Sequence, residues 1–321
     1  MPKYTYTVTP MRIQARKNSR AEQRYYSASG LPGVALVKPA AIAPGISPSV
    51  QDDLIYHGGK VVPQMEFQNI YLGGDAVWKE QDIVSIDAAI DLAMREPRLN
   101  NVMAQYFPGT KMLCGMRESF ILQEAAPKSI DEDGVQAQVI ALLDQSLIKN
   151  RDLSSTLFNL ILPPGMVLRL GSSSSKDGLG GYHGSVHVRR GGKNMTLYYS
   201  ANVYSQTVAG VENGIDVFNR PWKNVVGTLY HEINEFRTDA DVNDAIEKND
   251  SAFLGWNSRR GHECGDQPIF EANPLTQVFK EVRSTLSRRR IPVQFMFSNA
   301  VHGAEGPIIM PHNQLASLKK R

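Results

Sequence analysis

The sequence predicts a single domain of the α+β class with a mixed β-sheet and one helix carrying the site residues. Three observations predict it. Stretches of helical period and stretches of strand character are interspersed along the chain, and no internal repeat or break in composition divides it after residue 50. Its 321 residues, 42% of them hydrophobic, are enough to bury a sizeable core.

Residues 1–50 are poorly patterned and rich in Pro, Ala and Ser, ending in "VKPAAIAPGISPSVQ"; they read as an irregular N-terminal arm or linker with little core of its own. The domain proper is expected over 51–312, followed by a basic tail, 313–321. "KVVPQMEFQNIYLGG" carries β-branched and aromatic residues bounded by glycines, a strand signature. "QDIVSIDAAIDLAMREP" places Ile83, Ile86, Ala89, Ile90 and Ala93 at helical spacing and stops before Pro97. "PRLNNVMAQYF" is a shorter helical candidate, and "DEDGVQAQVIALLDQSLIKN" an amphipathic helix with acidic residues at its start. "STLFNLILPPG" reads as a buried strand, "SSSSKDGLGGYHGSVHV" as a loop running into a strand, and "NMTLYYSANVY" and "IPVQFMFSNAV" as further strands.

"NRPWKNVVGTLYHEINEF" is the helix of interest. Pro221 suits a first helical position, with Asn219 a candidate cap. Trp222, Val225, Val226, Leu229, Ile233 and Phe236 form one apolar stripe. At about 100° per residue, His231 and Glu235 lie opposite that stripe, adjacent on one face. The same face holds Asn224, Gly227 and Thr228, small neutral residues that suggest the lining of a cleft rather than a solvated surface.

"HEINE" resembles the H-E-x-x-H of zinc peptidases, with a glutamate in place of the second histidine. Positions i and i+4 of a helix are spaced to chelate one ion, and glutamate is a legitimate zinc ligand. Glu232, beside the first ligand, is placed to act as general base. A surface carboxylate pair is the bland alternative for this motif taken alone.

Composition narrows the rest. With 35 basic and 32 acidic residues, a net charge of +3, the chain gives no reason to expect nucleic acid or an anionic membrane as partner. No run approaches the roughly eighteen apolar residues of a membrane span. Two cysteines, Cys114 and Cys264, make no disulfide framework, and the first residues lack the apolar core of a secretory signal. A cytoplasmic, reducing compartment is the default expectation, with non-classical export as the other route.

Seven stretches taken in order resemble the Exordium / phosphate-induced protein family, in particular its bacterial relatives described as zinc metallopeptidases. "YHGGKVVPQMEFQNIYLGGDAVW" is similar to an opening Y-H-G-G segment leading to G-x-x-W, and "PRLNNVMAQYF" to a helix ending in Q-Y. "LFNLILPPG" and "GGYHGS" resemble a strand to Pro-Gly and a C-G-Y-H segment. "HEINEFRTDAD", "GWNSRRGHECGD" and "VQFMFSN" resemble H-E-x-x-E-x-x-T-D-P, W-x-x-x-G-x-E-I-G-D and V-Q-x-x-W-S-N. Ala240 replaces the motif's proline, Gly180 stands where its first cysteine would be, and Cys264 takes the isoleucine position of E-I-G-D.

The resemblance implies a zincin-like domain. Its metal ligands would be His231 and Glu235, with the third drawn from Glu263, Asp239 or Asp266; Glu263 is the first choice, and Asp239 serves if the helix continues. Asp266 is also a candidate partner for His231. His183, in a glycine-rich segment, would donate to an oxyanion, or else be a hydrogen-bonded structural histidine. His262, beside Glu263, has no counterpart in the motif and ranks below these candidates; His57 reads as a turn or packing residue, and Cys264 as a buried thiol.

Together these give a metal-dependent hydrolase, first of all a zinc peptidase acting on a peptide or protein through metal-bound water activated by Glu232. Manganese or calcium rank behind zinc. The alternative is a non-catalytic binding or structural module that keeps a structural metal or a polar cluster at the same place.

Overall fold

The structure, a computed structural model, describes residues 8–29, 43–148 and 152–312. The basic tail and much of the arm lie outside the described residues. The architecture is α+β around a six-stranded mixed sheet. Its strands are β1 (Ile13–Ala15), β2 (Gln64–Tyr71), β3 (Leu113–Ile121), β4 (Thr156–Ile161), β5 (Leu179–Arg190) and β6 (Lys193–Asn202). The order across the sheet is β1-β5-β6-β4-β2-β3. Junctions β1/β5 and β5/β6 are antiparallel, and β6/β4, β4/β2 and β2/β3 are parallel.

Parallel neighbours need long crossovers, and helices supply them. The helix α2 (Glu80–Arg95) links β2 to β3, and α3 (Glu132–Asp144) links β3 to β4; the earlier α1 is Arg20–Ser29. The apolar stripe of α2 packs inward through Ile86, Ala89, Ile90 and Ala93. The helix stops at Glu96, before Pro97. α3 begins at Asp131, whose side chain accepts from Gly134 N at 3.0 Å, and buries Val135, Val139 and Leu142.

β4 and most of β2 are buried on both faces, as central parallel strands between helices require. Leu157 and Ile161 of β4 face one core with Phe67, Tyr71 and Tyr198, while Phe158 and Leu160 face another with Ile70, Leu197 and Tyr199. The first face receives α4 (Pro221–Thr238) and α2. The expected stripe Val225, Val226, Leu229, Ile233 and Phe236 lies in this core, completely buried.

A register row of polar side chains crosses the same face. Asn69, Asn159, Ser200 and His183 are aligned partners on four adjacent strands. Asn69 donates to Asp87 Oδ1, Asn159 to Asn69 and Ser200 to Asn159, at 2.7 to 2.9 Å. Buried polar groups persist where each finds a partner, and these bonds run from Ser200 to Asp87, with His183 next in register to Ser200 but not bonded to it.

Three sequence expectations change, and one strand appears where none was expected. Ile13–Ala15, inside the expected irregular arm, is an edge strand whose three residues are buried. Its segment is too short to show periodicity, so only pairing with β5 reveals it. β3 carries no apolar alternation because it is the half-exposed opposite edge. Asn219 does not cap α4: Arg220 holds the cap position without a side-chain bond, and Pro221 has no N–H to satisfy. Instead Asn224 Oδ1 accepts from Val217 N and Phe218 N at 3.0 and 2.8 Å, fixing the turn before the helix. Finally, the face of α4 opposite its apolar stripe does not line an open cleft, since Asn224, Gly227, Thr228, His231 and Glu235 are all buried.

No helix among the described residues is long and apolar enough to cross a membrane, and Cys114 and Cys264 are both unpaired. Leu157→Ala should lower the unfolding free energy by about 3 kcal/mol, because a central strand beneath α4 cannot collapse around the void. Urea denaturation measures this, and a loss below about 1 kcal/mol would contradict the packing.

Candidate metal centre

The last three turns of α4 bring His231, Glu232 and Glu235 to the face turned toward β5 and the loop before α6. The short helix α5 (Val242–Lys248) follows α4, and α6 is Asp266–Glu271. The loop before α6 contributes Glu263 and Gly265, α6 itself begins with Asp266, and β5 contributes His183. All five of His183, His231, Glu232, Glu235 and Glu263, and Asp266 with them, have no solvent exposure.

The contacts converge on Glu235. Its Oε2 lies 3.0 Å from His231 Nε2 and 3.7 Å from His183 Nδ1, while its Oε1 accepts from Gly265 N at 3.1 Å. Asp266 Oδ1 is 4.0 Å from His231 Nε2. Asp266 Oδ2 accepts from Glu263 N at 3.0 Å, which closes the loop on itself. Glu232 Oε2 is 3.5 Å from His183 Nδ1, and Glu263 Oε1 is 3.6 Å from His183 Nε2.

The tautomer of His231 is set by a residue to which the sequence reading gave no role. Gln294, at the end of a strand Arg290–Gln294, donates through Nε2 to Gly265 O at 2.6 Å. That bond orients its amide so that Oε1 meets His231 Nδ1 at 2.9 Å. Nδ1 therefore carries the proton and Nε2 presents a lone pair to Glu235 and Asp266, the form in which imidazole ligates a cation. The sequence signals were a glutamine following the apolar Ile291–Val293 and its match to the V-Q of the motif compared with "VQFMFSN".

Gly265 is equally specific. A Cβ there would sit 2.4 Å from His231 Nδ1 and 2.9 Å from Glu235 Oε1, so any side chain would displace both. Gly181 does the same from β5, where a Cβ would meet Thr228, Ala201 O and Glu232. Gln14 of β1 is the register partner of Gly181, and Met11 N donates to Gly261 O at 2.7 Å. The N-terminal strand and the loop before α6 thus help to close the site.

Asp239 stands apart from this group. α4 ends at Thr238, and the backbone turns out of the helix there. The Asp239 carboxylate accepts from Gly255 N at 2.8 Å and from the Asn257 amide. What it offers the cluster is its backbone carbonyl, 3.2 Å from His183 Nε2. The Cys264 thiol accepts from Thr238 Oγ1 at 3.5 Å and takes no part. His183 directs its Nδ1 at two carboxylates rather than standing as a donor beside an open cavity.

The donor set fits a divalent cation. His183 Nδ1, His231 Nε2, Glu235 Oε2, Asp266 Oδ1 and both oxygens of Glu232 and Glu263 are buried without hydrogen-bond partners. Burial first, and Glu235 next, hold the Glu263 and Asp266 carboxyls well above the carboxylate range; burial raises Glu232 and Glu235 too. Desolvation lowers both imidazoles, His183 to about 3, so neither offsets the carboxylates with charge. A cation among such groups satisfies their lone pairs and their charge together.

Comparison with known proteins finds no family model, curated protein or solved structure that matches the chain.

Gln294→Leu should weaken metal binding about 10- to 100-fold while leaving the cluster's own side chains in place; competition against a chromogenic chelator measures it, and unchanged affinity would deny Gln294 its role. A second expectation concerns pH. In metal-free protein the four raised carboxyls hold protons that the unfolded chain releases above pH about 4. Their contribution is full below that pH and is lost as pH rises through the folded values. His183 and His262, lowered to about 3 by burial, act oppositely, but only below the ordinary imidazole value of 6.5. Above that value their opposition has ended. Chelator-treated protein should therefore lose thermal stability as pH rises beyond about 6.5 toward the raised carboxyl values, and metal-loaded protein should lose less; parallel slopes would count against the assignment.

Proposed function

We propose that the chain is a metal-dependent hydrolase of the zincin type, with a peptide or protein as its substrate class. The observation that carries this reading is the juxtaposition of His231 Nε2, Glu235 Oε2 and Asp266 Oδ1 within 4.8 Å of one another, each buried and lacking a hydrogen-bond partner. The resemblance of "HEINEFRTDAD" and "GWNSRRGHECGD" to Exordium-type motifs supports it from the side of sequence. Zinc is the first choice of metal because an imidazole with carboxylates suits it; the oxygen-rich set also suits manganese. When bound, the ion supplies Lewis acidity and lowers the pKa of water toward neutrality.

The residues divide the remaining work. His231, Glu235 and Asp266 hold the cation, and Gln294 and Gly265 hold His231 and Glu235. Glu232 adjoins this set with both carboxylate oxygens unpartnered, and so is the group placed to accept and return a proton. Burial excludes water other than the reactant and strengthens each of these interactions. Because every member has no exposure, substrate access requires the strand β1 or the loop before α6 to move.

That burial favours a second reading, a structural metal site in a non-catalytic protein. The two readings differ at Glu232, since a structural site has no use for a base beside its ligands. Glu232→Gln should retain metal in elemental analysis and lose peptide hydrolysis by about 10²- to 10⁴-fold. Glu235→Ala should lose the metal. Absence of metal from purified wild-type protein, with none taken up from zinc or manganese, would sink both readings. A metal-loaded wild type without hydrolytic activity on a diverse peptide mixture would leave the structural one.

A further inference from the structure

We infer that the cluster is built for two divalent cations, with Glu235 shared between a His231/Asp266 position and a His183/Glu263 position. This rests on the metal reading above and goes beyond its single ion.

Two sets of side chains satisfy the spacing of a cation site, His231–Glu235–Asp266 and His183–Glu235–Glu263, and only Glu235 belongs to both. Ligand atoms about 2.1 Å from a tetrahedral ion are about 3.4 Å apart. In the first set His231 Nε2 lies 3.0 Å from Glu235 and 4.0 Å from Asp266; in the second His183 Nδ1 lies 3.7 Å from Glu235, while Glu263 Oε1 stands 3.6 Å from the other ring nitrogen, Nε2. Glu235 Oε2 faces an imidazole of each set, while its Oε1 is tethered by Gly265 N. A carboxylate anchored at one oxygen and flanked by two lone-pair nitrogens at the other is suited to bridging.

His183 is prepared in the same way as His231. The bond from its Nε2 to the Asp239 carbonyl places the proton there and leaves Nδ1 unpartnered, facing Glu232 and Glu235. One ion in the first set leaves this nitrogen and both oxygens of Glu263 without a partner, closed from bulk solvent. Desolvation opposes an unpaired charge in such a place.

Charge points the same way. Glu232, Glu235, Glu263 and Asp266 can carry four negative charges; among the described residues the cation felt there is Arg12, which acts on Glu232 from a distance while paired with Glu132. Arg12, which donates to His183 O, is engaged by Glu132 and Asn243. One divalent ion leaves a net charge of minus two in the buried volume, whereas two divalent ions leave none.

The test is Mn²⁺ stoichiometry on full-length, chelator-stripped protein, by elemental analysis after desalting, with electron paramagnetic resonance of the loaded sample. Two Mn²⁺ per chain with the multiline signal of a spin-coupled pair are expected. His183→Ala and the near-isosteric Glu263→Gln should each fall to one Mn²⁺ with an isolated six-line signal, and Glu235→Gln should lose the coupling. Circular dichroism checks that the variants fold, and the wild-type count decides even if they do not. One ion per chain, or two without coupling, overturns this inference and leaves the single-site hydrolase standing. No ion overturns the metal reading as well.

Discussion

Four carboxylates and two imidazoles share a solvent-free space between α4, β5 and the loop before α6, and the surroundings are organised around holding them there. Apolar burial cannot stabilise such a group, and desolvation opposes it. The structure answers with backbone and amide donors on selected oxygens: Gly265 N on Glu235, Glu263 N on Asp266, and Gln294 spanning Gly265 and His231. Each of these bonds orients one atom of a side chain and leaves its other atom directed into the common space.

The scaffold explains why the cluster can be held to this geometry. From Asn224 on, α4 is buried on all sides, with its apolar stripe in the core it shares with β4, β6 and α2 and its polar face against β5. The glycines at 181 and 265 let backbone approach that polar face where any Cβ would collide with it. His183 stands at the end of the register row Asn69–Asn159–Ser200, so its place on β5 is fixed by pairing that begins on β2. A neutral histidine at that point is the consequence of depth, with burial lowering it to about 3.

Much of this was legible along the chain. The periods of α2, α3 and α4 and the buried character of β4 and β6 read directly, because each buries one continuous face or both. His231, Glu232 and Glu235 were legible as a unit because helical spacing alone makes i and i+4 neighbours. Glu263 and Asp266 were legible only by likeness to a motif, and Asp239 was misplaced because its role depended on one more turn of helix that the chain does not form. β1 and β3 escaped for the ordinary reason that edge strands need no alternation to find their partner.

The sequence by itself determined the α+β class, the main helices and the helical triad at the heart of the site, since these follow from spacing within a single element. Only the tertiary structure decided that His183, Glu263 and Asp266 meet that triad, that Gln294 sets the tautomer of His231, and that Glu235 faces two imidazoles at once. Those relations join residues up to 80 positions apart, His183 and Glu263, through strand register and loop closure. Local periodicity carries no information about such distances, because they are fixed by which strand pairs with which and by how closely glycine lets two backbones approach.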